Sequence, residues 1–186
     1  DFIRLALVLA GLGLVLTAAL IDIRKFIIPN WLNLLLLIVG LAYAGVTSVG
    51  GEQGFPWVLS LACFAVFFFA GTLLFSLGFL GGGDVKLLAI LAFWAGTQHI
   101  FQMLVYIAIA GGVVSAVYLL KAMVMRNGNS PSVGSDGKVV AADAGLPHTD
   151  GVTNGKASVL RQPVPYGVAI AAGGVYVFAS IARQLS

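Results

Sequence analysis

The sequence predicts an all-α membrane protein, a polytopic bundle of about six transmembrane helices. Three observations lead there. Hydrophobic residues make up 60% of the 186, charged residues only 9%, and mean hydropathy is +1.03. A soluble domain of this length needs a far larger charged skin. Apolar runs long enough to cross a bilayer recur along most of the chain. The net charge of +3 comes from Lys and Arg that form no stripe interleaved with aromatics, so no nucleic-acid partner is expected.

The first span is read from about Phe2 to Ile21 and the second from Trp31 to Val49. The third covers Trp57 to Leu80, the fourth Asp84 to Gln98, the fifth Ile100 to Leu120 and the sixth Val164 to Ala182. Each is rich in Leu, Ile, Val, Ala and Phe, with too few breaks to form strands. Thr17-Ala18-Ala19 offers small residues of the kind a signal cleavage site needs. With a membrane chain following rather than a soluble one, the first span is read as an anchor. Thr97-Gln98-His99 is the expected polar turn between spans four and five, with His99 a turn residue rather than a ligand or base. The lone cysteine, Cys63, permits no disulfide and no Cys-based metal site within the chain, and reads as packing.

Lys and Arg placement sets the orientation. With the first end outside, Arg24, Lys25, Lys86, Lys121, Arg126, Lys138, Lys156 and Arg161 fall on the inner side, against only Arg4 and Arg183 outside. A single transmembrane domain is expected over residues 1–186, with 127–162 a flexible cytoplasmic loop rich in Gly, Ser, Pro, Asp and Asn. Asp136, Asp143, Asp150 and His148 in that loop are read as solvated.

Of the seven acids, only Asp22 and Asp84 abut long apolar segments, both at cytoplasmic ends of their spans. A carboxylate near hydrocarbon costs about 2.5–3.5 kcal/mol on insertion scales, so such residues face a bundle interior or a watery cavity and serve a function. The fourth span is short: 15 residues from Asp84 to Gln98 give about 22 Å of helix against about 30 Å of hydrocarbon. Asp84 therefore lies below the inner surface unless the bilayer thins. Two carboxylates close together in a poorly solvated pocket do not both ionise easily. With one protonated, the pair can activate water and polarise a scissile carbonyl, provided spans one and four are neighbours.

Asp22 is followed by Pro29 and Asn30, a helix start and a turn residue. Asp84 follows Gly81-Gly82-Gly83 and precedes Lys86. Three glycines permit tight backbone and the close approach of an extended substrate; equally, they could break one helix while Asp84 caps the next. Gly-x-Gly-Asp arises by chance in roughly one chain in ten of this composition, so its weight comes from the combination with Asp22. Lys86 reads as an interface anchor, a partner for lipid phosphate, or a charge acting on a neighbouring acid.

These residues resemble the type IV prepilin peptidases, membrane aspartic peptidases of the GxGD type. The resemblance rests on Asp22 with Ile28-Pro29-Asn30, on Gly81-x-Gly83-Asp84 with Lys86-Leu87-Leu88-Ala89, and on Pro165-Tyr166-Gly167. It implies a catalytic pair, Asp22 and Asp84, with Gly81, Gly82, Gly83, Lys86, Pro29 and Asn30 binding substrate or shaping the site. It also implies removal of the short basic leader of prepilins, ahead of their apolar N-terminal helix, at the cytoplasmic face of the bacterial inner membrane. No metal or other cofactor is expected. Larger family members carry paired CxxC motifs and N-methylate the product; those cysteines are absent here, so methyltransferase activity and S-adenosylmethionine use are not expected. The compact form is similar to peptidases of tight-adherence (Flp) pilus systems. The rival from another class is a small proton-coupled transporter using Asp22 and Asp84 as a relay.

Overall fold

The computed structural model describes residues 2–25, 27–50, 55–128 and 166–185. They form five helices: α1 (Phe2–Lys25), α2 (Asn30–Gly50), α3 (Trp57–Ser76), α4 (Gly82–Gly128) and α5 (Tyr166–Leu185). All five are long and apolar enough to cross a membrane, and no strand occurs among the described residues. The all-helical membrane class expected from composition is the one observed. Residues 129–162 of the expected loop lie outside the described residues, and helix α4 includes its first two residues, Asn127 and Gly128.

Five helices yield six apolar passages because α4 is interrupted. Gly96 takes φ 51° and ψ −161°, a left-handed backbone conformation that L side chains rarely adopt. The contacts of α5 give the direction of the two arms. In the first arm, Leu91 meets Gly174 and Trp94 meets Phe178, so numbers rise together and the helices are parallel. In the second, Gly111 meets Ala169, Ile107 meets Gly173 and Tyr106 stacks on Tyr176, so the order reverses. The chain therefore doubles back at Gly96. The expected turn at Thr97-Gln98-His99 stands corrected: the reversal comes one residue earlier, and those three polar residues already belong to the second arm. Positive φ, not polarity, placed the break.

The same register argument orients the rest. Asn33 reaches Gly83 and Gly40 meets Trp94, so α2 is parallel to the first arm. Gly71 meets Val85 and Ser60 meets Gly96, so α3 is antiparallel to it. Against α5, α1 is antiparallel, with Val15 at Gly174, Gly11 at Phe178 and Asp22 at Val168. The end of α1, the start of α2, the end of α3 and the starts of α4 and α5 thus share one end of the bundle. Asp22, Arg24, Lys25, Asp84 and Lys86 lie there; Arg4 and Arg183 lie at the other.

Packing is uneven. The interior is built by α1, α2, the first arm of α4 and α5, around Val15, Leu32, Leu36, Leu87, Leu91, Phe93 and Phe178. Trp94 is its keystone, stacked on Tyr43 at 5.1 Å and set edge-on to Phe178 at 4.7 Å. Gly40 leaves room for it: a Cβ there would lie 2.7 Å from Trp94 Nε1. By contrast α3 buries only Ser60 and Gly71 and turns Phe68, Phe69 and Phe75 outward, as a helix wetted by lipid tails does. One compact unit comprises Asp1–Ser115 and Val164–Ser186; the second, Ala116–Pro163, contains among the described residues only the end of α4.

Candidate functional site

Asp22 closes α1 at a position that packing, not solvent, controls. Its side chain is 3% exposed, and its Oδ2 accepts the N–H of Val168 at 3.2 Å, with the Gly167 amide also directed at the carboxyl group. The first N–H groups of any helix lack internal partners and carry partial positive charge. The start of α5 is therefore a preformed cradle for this carboxylate. The cradle needs a residue without a side chain: a Cβ on Gly167 would stand 2.7 Å from Asp22 Oδ2 and 2.8 Å from Ile28 Cδ1.

Asp84 lies in the first turn of α4, with Gly81 preceding the helix. Its Oδ2 accepts the N–H of Gly81 at 3.2 Å, the back-reaching half of a capping box. The helix-cap reading of this acid is corrected in place: the cap position falls to Gly81, and Asp84 fastens the helix start from within its first turn. It does not account for Oδ1, which is buried and has no hydrogen-bond partner among the described residues. Buried carboxylate oxygens are seldom left so. The two acids, 62 positions apart in sequence, thus lie at the same end of the bundle, Asp22 against the start of α5 and Asp84 in the first turn of α4.

Ile28, in the link before Pro29, ties this arrangement together. Its side chain abuts the Gly167 cradle, and its carbonyl oxygen would be 2.9 Å from a Cβ on Gly83. Gly83 is thus pressed against the α1–α2 link, which no residue with a side chain could manage without displacing it. At Gly81 an added Cβ would come 2.9 Å from Asp84 Oδ2. Gly82 is looser, with Phe75 at 3.7 Å.

The remaining expected residues divide by location. Pro29 accepts the first backbone bond of α2, from Leu32 at 3.2 Å. Asn30 and Lys86 meet each other, Lys86 Nζ donating to Asn30 Oδ1 at 2.8 Å. At 3.6 residues per turn, Lys86 lies about 200° around α4 from Asp84, so this pair joins α2 to α4 on the side away from the acids. It opens with Asn33 onto a cavity of about 260 Å³ walled by Leu34, Leu37, Phe64, Phe68 and Ile90. Sequence reasoning missed Asn33, whose Nδ2 donates to Gly83 O at 3.1 Å; an amide inside an apolar span was the available signal. It also missed the carboxylate cradle at Gly167 and Val168, for which Pro165-Tyr166-Gly167 gave only a family likeness. Among the described residues, no group of His, Cys, Asp and Glu could hold a metal ion.

No curated protein and no solved structure matches the chain. The model of the type IV leader peptidase family matches residues 9–116, more than half of the chain, a stretch that holds Asp22, the glycine strip and Asp84 and stops before α5. With both carboxylates inside the matched segment and at the same end of a helical bundle, the chain belongs to the type IV leader peptidase family.

Proposed function

We propose that the protein is an aspartic endopeptidase that removes the short basic leader from type IV prepilins, those of Flp-type pili in particular. One observation carries the reading: two carboxylates from distant parts of the chain lie at the same end of the bundle, linked through Ile28, with Asp84 Oδ1 left without a partner among the described residues. One carboxylate takes the proton of an attacking water while the other, protonated, donates to the scissile carbonyl. The Gly167 and Val168 amides hold Asp22 in place through the exchange. Gly81, Gly82 and Gly83 leave bare backbone beside Asp84, where an extended leader can lie. Pro29, Asn30 and Lys86 shape the site by fixing α2 against the first turn of α4.

The site faces the cytoplasm across the inner membrane. Support comes from charge: Arg24, Lys25 and Lys86 lie at the aspartate end of the bundle and Arg4 and Arg183 at the opposite end, the asymmetry that sets membrane orientation. The substrates are prepilins whose apolar helix shares the bilayer with the enzyme.

The test is a cleavage assay with candidate prepilins and the Asp22→Asn and Asp84→Asn variants. Each variant is expected to insert normally and to lose processing by roughly a thousandfold or more. Processed pilin at wild-type rate from either variant would sink the proposal.

A further inference from the structure

Asn33 stands out among the side chains this mechanism leaves unused. It is 3% exposed, one of three buried polar or charged residues found among the described ones, with Asp22 and Ser60. It projects from the first turn of α2 and donates from Nδ2 to Gly83 O at 3.1 Å. That carbonyl lies inside helix α4, where it already has a backbone partner four residues on. The bond is therefore not needed to satisfy Gly83. Nor does it satisfy Asn33, whose Oδ1 is buried with no partner among the described residues.

An apolar side chain such as leucine, larger than asparagine but with the adjoining cavity to extend into, would suit this place better. Its neighbours in the adjoining cavity are Leu34, Leu37, Phe64, Phe68 and Ile90, and a buried polar atom left unmatched destabilises a fold. Local choices that oppose stability concentrate where function requires them. What Asn33 does hold is the residue immediately before Asp84. Gly83 is pressed from one side by Ile28 O, 2.9 Å from where its Cβ would be, and drawn from another by the Asn33 amide. Two fixed points on one glycine leave the Asp84 backbone little room to shift.

We propose that Asn33 is a positioning residue for Asp84: its amide fixes the glycine strip so that the carboxyl group keeps its place at the start of α4. The proposal rests on the peptidase reading above and adds to it a residue on α2 that touches neither carboxylate nor substrate.

Asn33→Leu tests it in the full-length protein, purified and assayed with a prepilin it cleaves. The expected result is a kcat lowered about ten- to a hundredfold, as for small misplacements of a reacting group, with KM within about twofold and Tm held or raised. An unchanged kcat overturns the proposal. So does a fall in Tm that accompanies the fall in kcat, which would make Asn33 a structural residue only. Asp84→Asn is run in parallel. If it too cleaves at the wild-type rate, the peptidase reading falls and takes this one with it; if it is inactive while Asn33→Leu is fully active, only the role of Asn33 is lost.

Discussion

The two ends of the bundle solve the same packing problem with opposite chemistry. Toward the end away from the acids, glycine makes room for rings: Gly40 accommodates Trp94, and Tyr43, Trp94 and Phe178 close on one another. The one polar atom on Trp94, its indole N–H, points at Leu36 O at 3.4 Å. At the aspartate end glycine makes room for carboxylates and bare backbone instead, at Gly167, Gly83 and Gly81; of three buried side-chain oxygens unmatched among the described residues, Asp84 Oδ1 and Asn33 Oδ1 lie there and Thr47 Oγ1 at the other end. One end is built to hold the helices together. The other keeps polar groups within the packing, the exchange of stability for activity that the proposed site calls for.

That contrast can be broken from either side, and the expected effects fall in order. Asp84→Asn should be the largest: processing drops by roughly a thousandfold, equivalent to about 4 kcal/mol of transition-state stabilisation, while thermal unfolding in detergent shows no loss of Tm. Trp94→Ala should do the reverse, destabilising by about 3–5 kcal/mol while the protein that remains folded cleaves at near the wild-type kcat; active-site titration alongside unfolding separates the two. Gly167→Ala sharpens the comparison by bringing both penalties together. Its Cβ displaces Asp22 or Ile28, costing about 1–3 kcal/mol by overpacking and at least tenfold in kcat. Smallest is Lys86→Met, which removes one exposed hydrogen bond to Asn30 worth about 1 kcal/mol or less and should slow processing only severalfold. Comparable losses of Tm in Trp94→Ala and Asp84→Asn would dissolve the distinction between the ends.

Much of this was legible in the sequence, and the reasons differ by element. Spans could be read because hydropathy acts through composition, which needs no partner. Asp22 and Asp84 could be picked out because an acid beside hydrocarbon is costly anywhere in the fold. The break in α4 was drawn one residue late because Thr97, Gln98 and His99 carry the polarity that marks a turn, while the backbone angle that makes it belongs to Gly96. Gly96 looked like any other of the 24 glycines. The cradle for Asp22 was hidden for a further reason: it is made of main-chain amides at Gly167 and Val168, 145 positions or more downstream, and main-chain donors have no letter in the sequence. Asn33 was readable as a polar residue in an apolar helix, but its partner is again a main-chain carbonyl.

The hydrogen bond from Gly81 N–H to Asp84 Oδ2 governs how this enzyme can be dissected. Since one side chain both fastens the start of a helix and is proposed to react, most replacements disturb two things together. Alanine would unfasten the helix and silence the chemistry at once. Glutamate, the usual residue at this place in a capping box, could keep both the fastening and an exchangeable proton but would carry its carboxyl group one methylene further out. Asparagine alone keeps an oxygen for the fastening while surrendering the exchangeable proton, so the gap in Tm between Asp84→Ala and Asp84→Asn measures the fastening by itself.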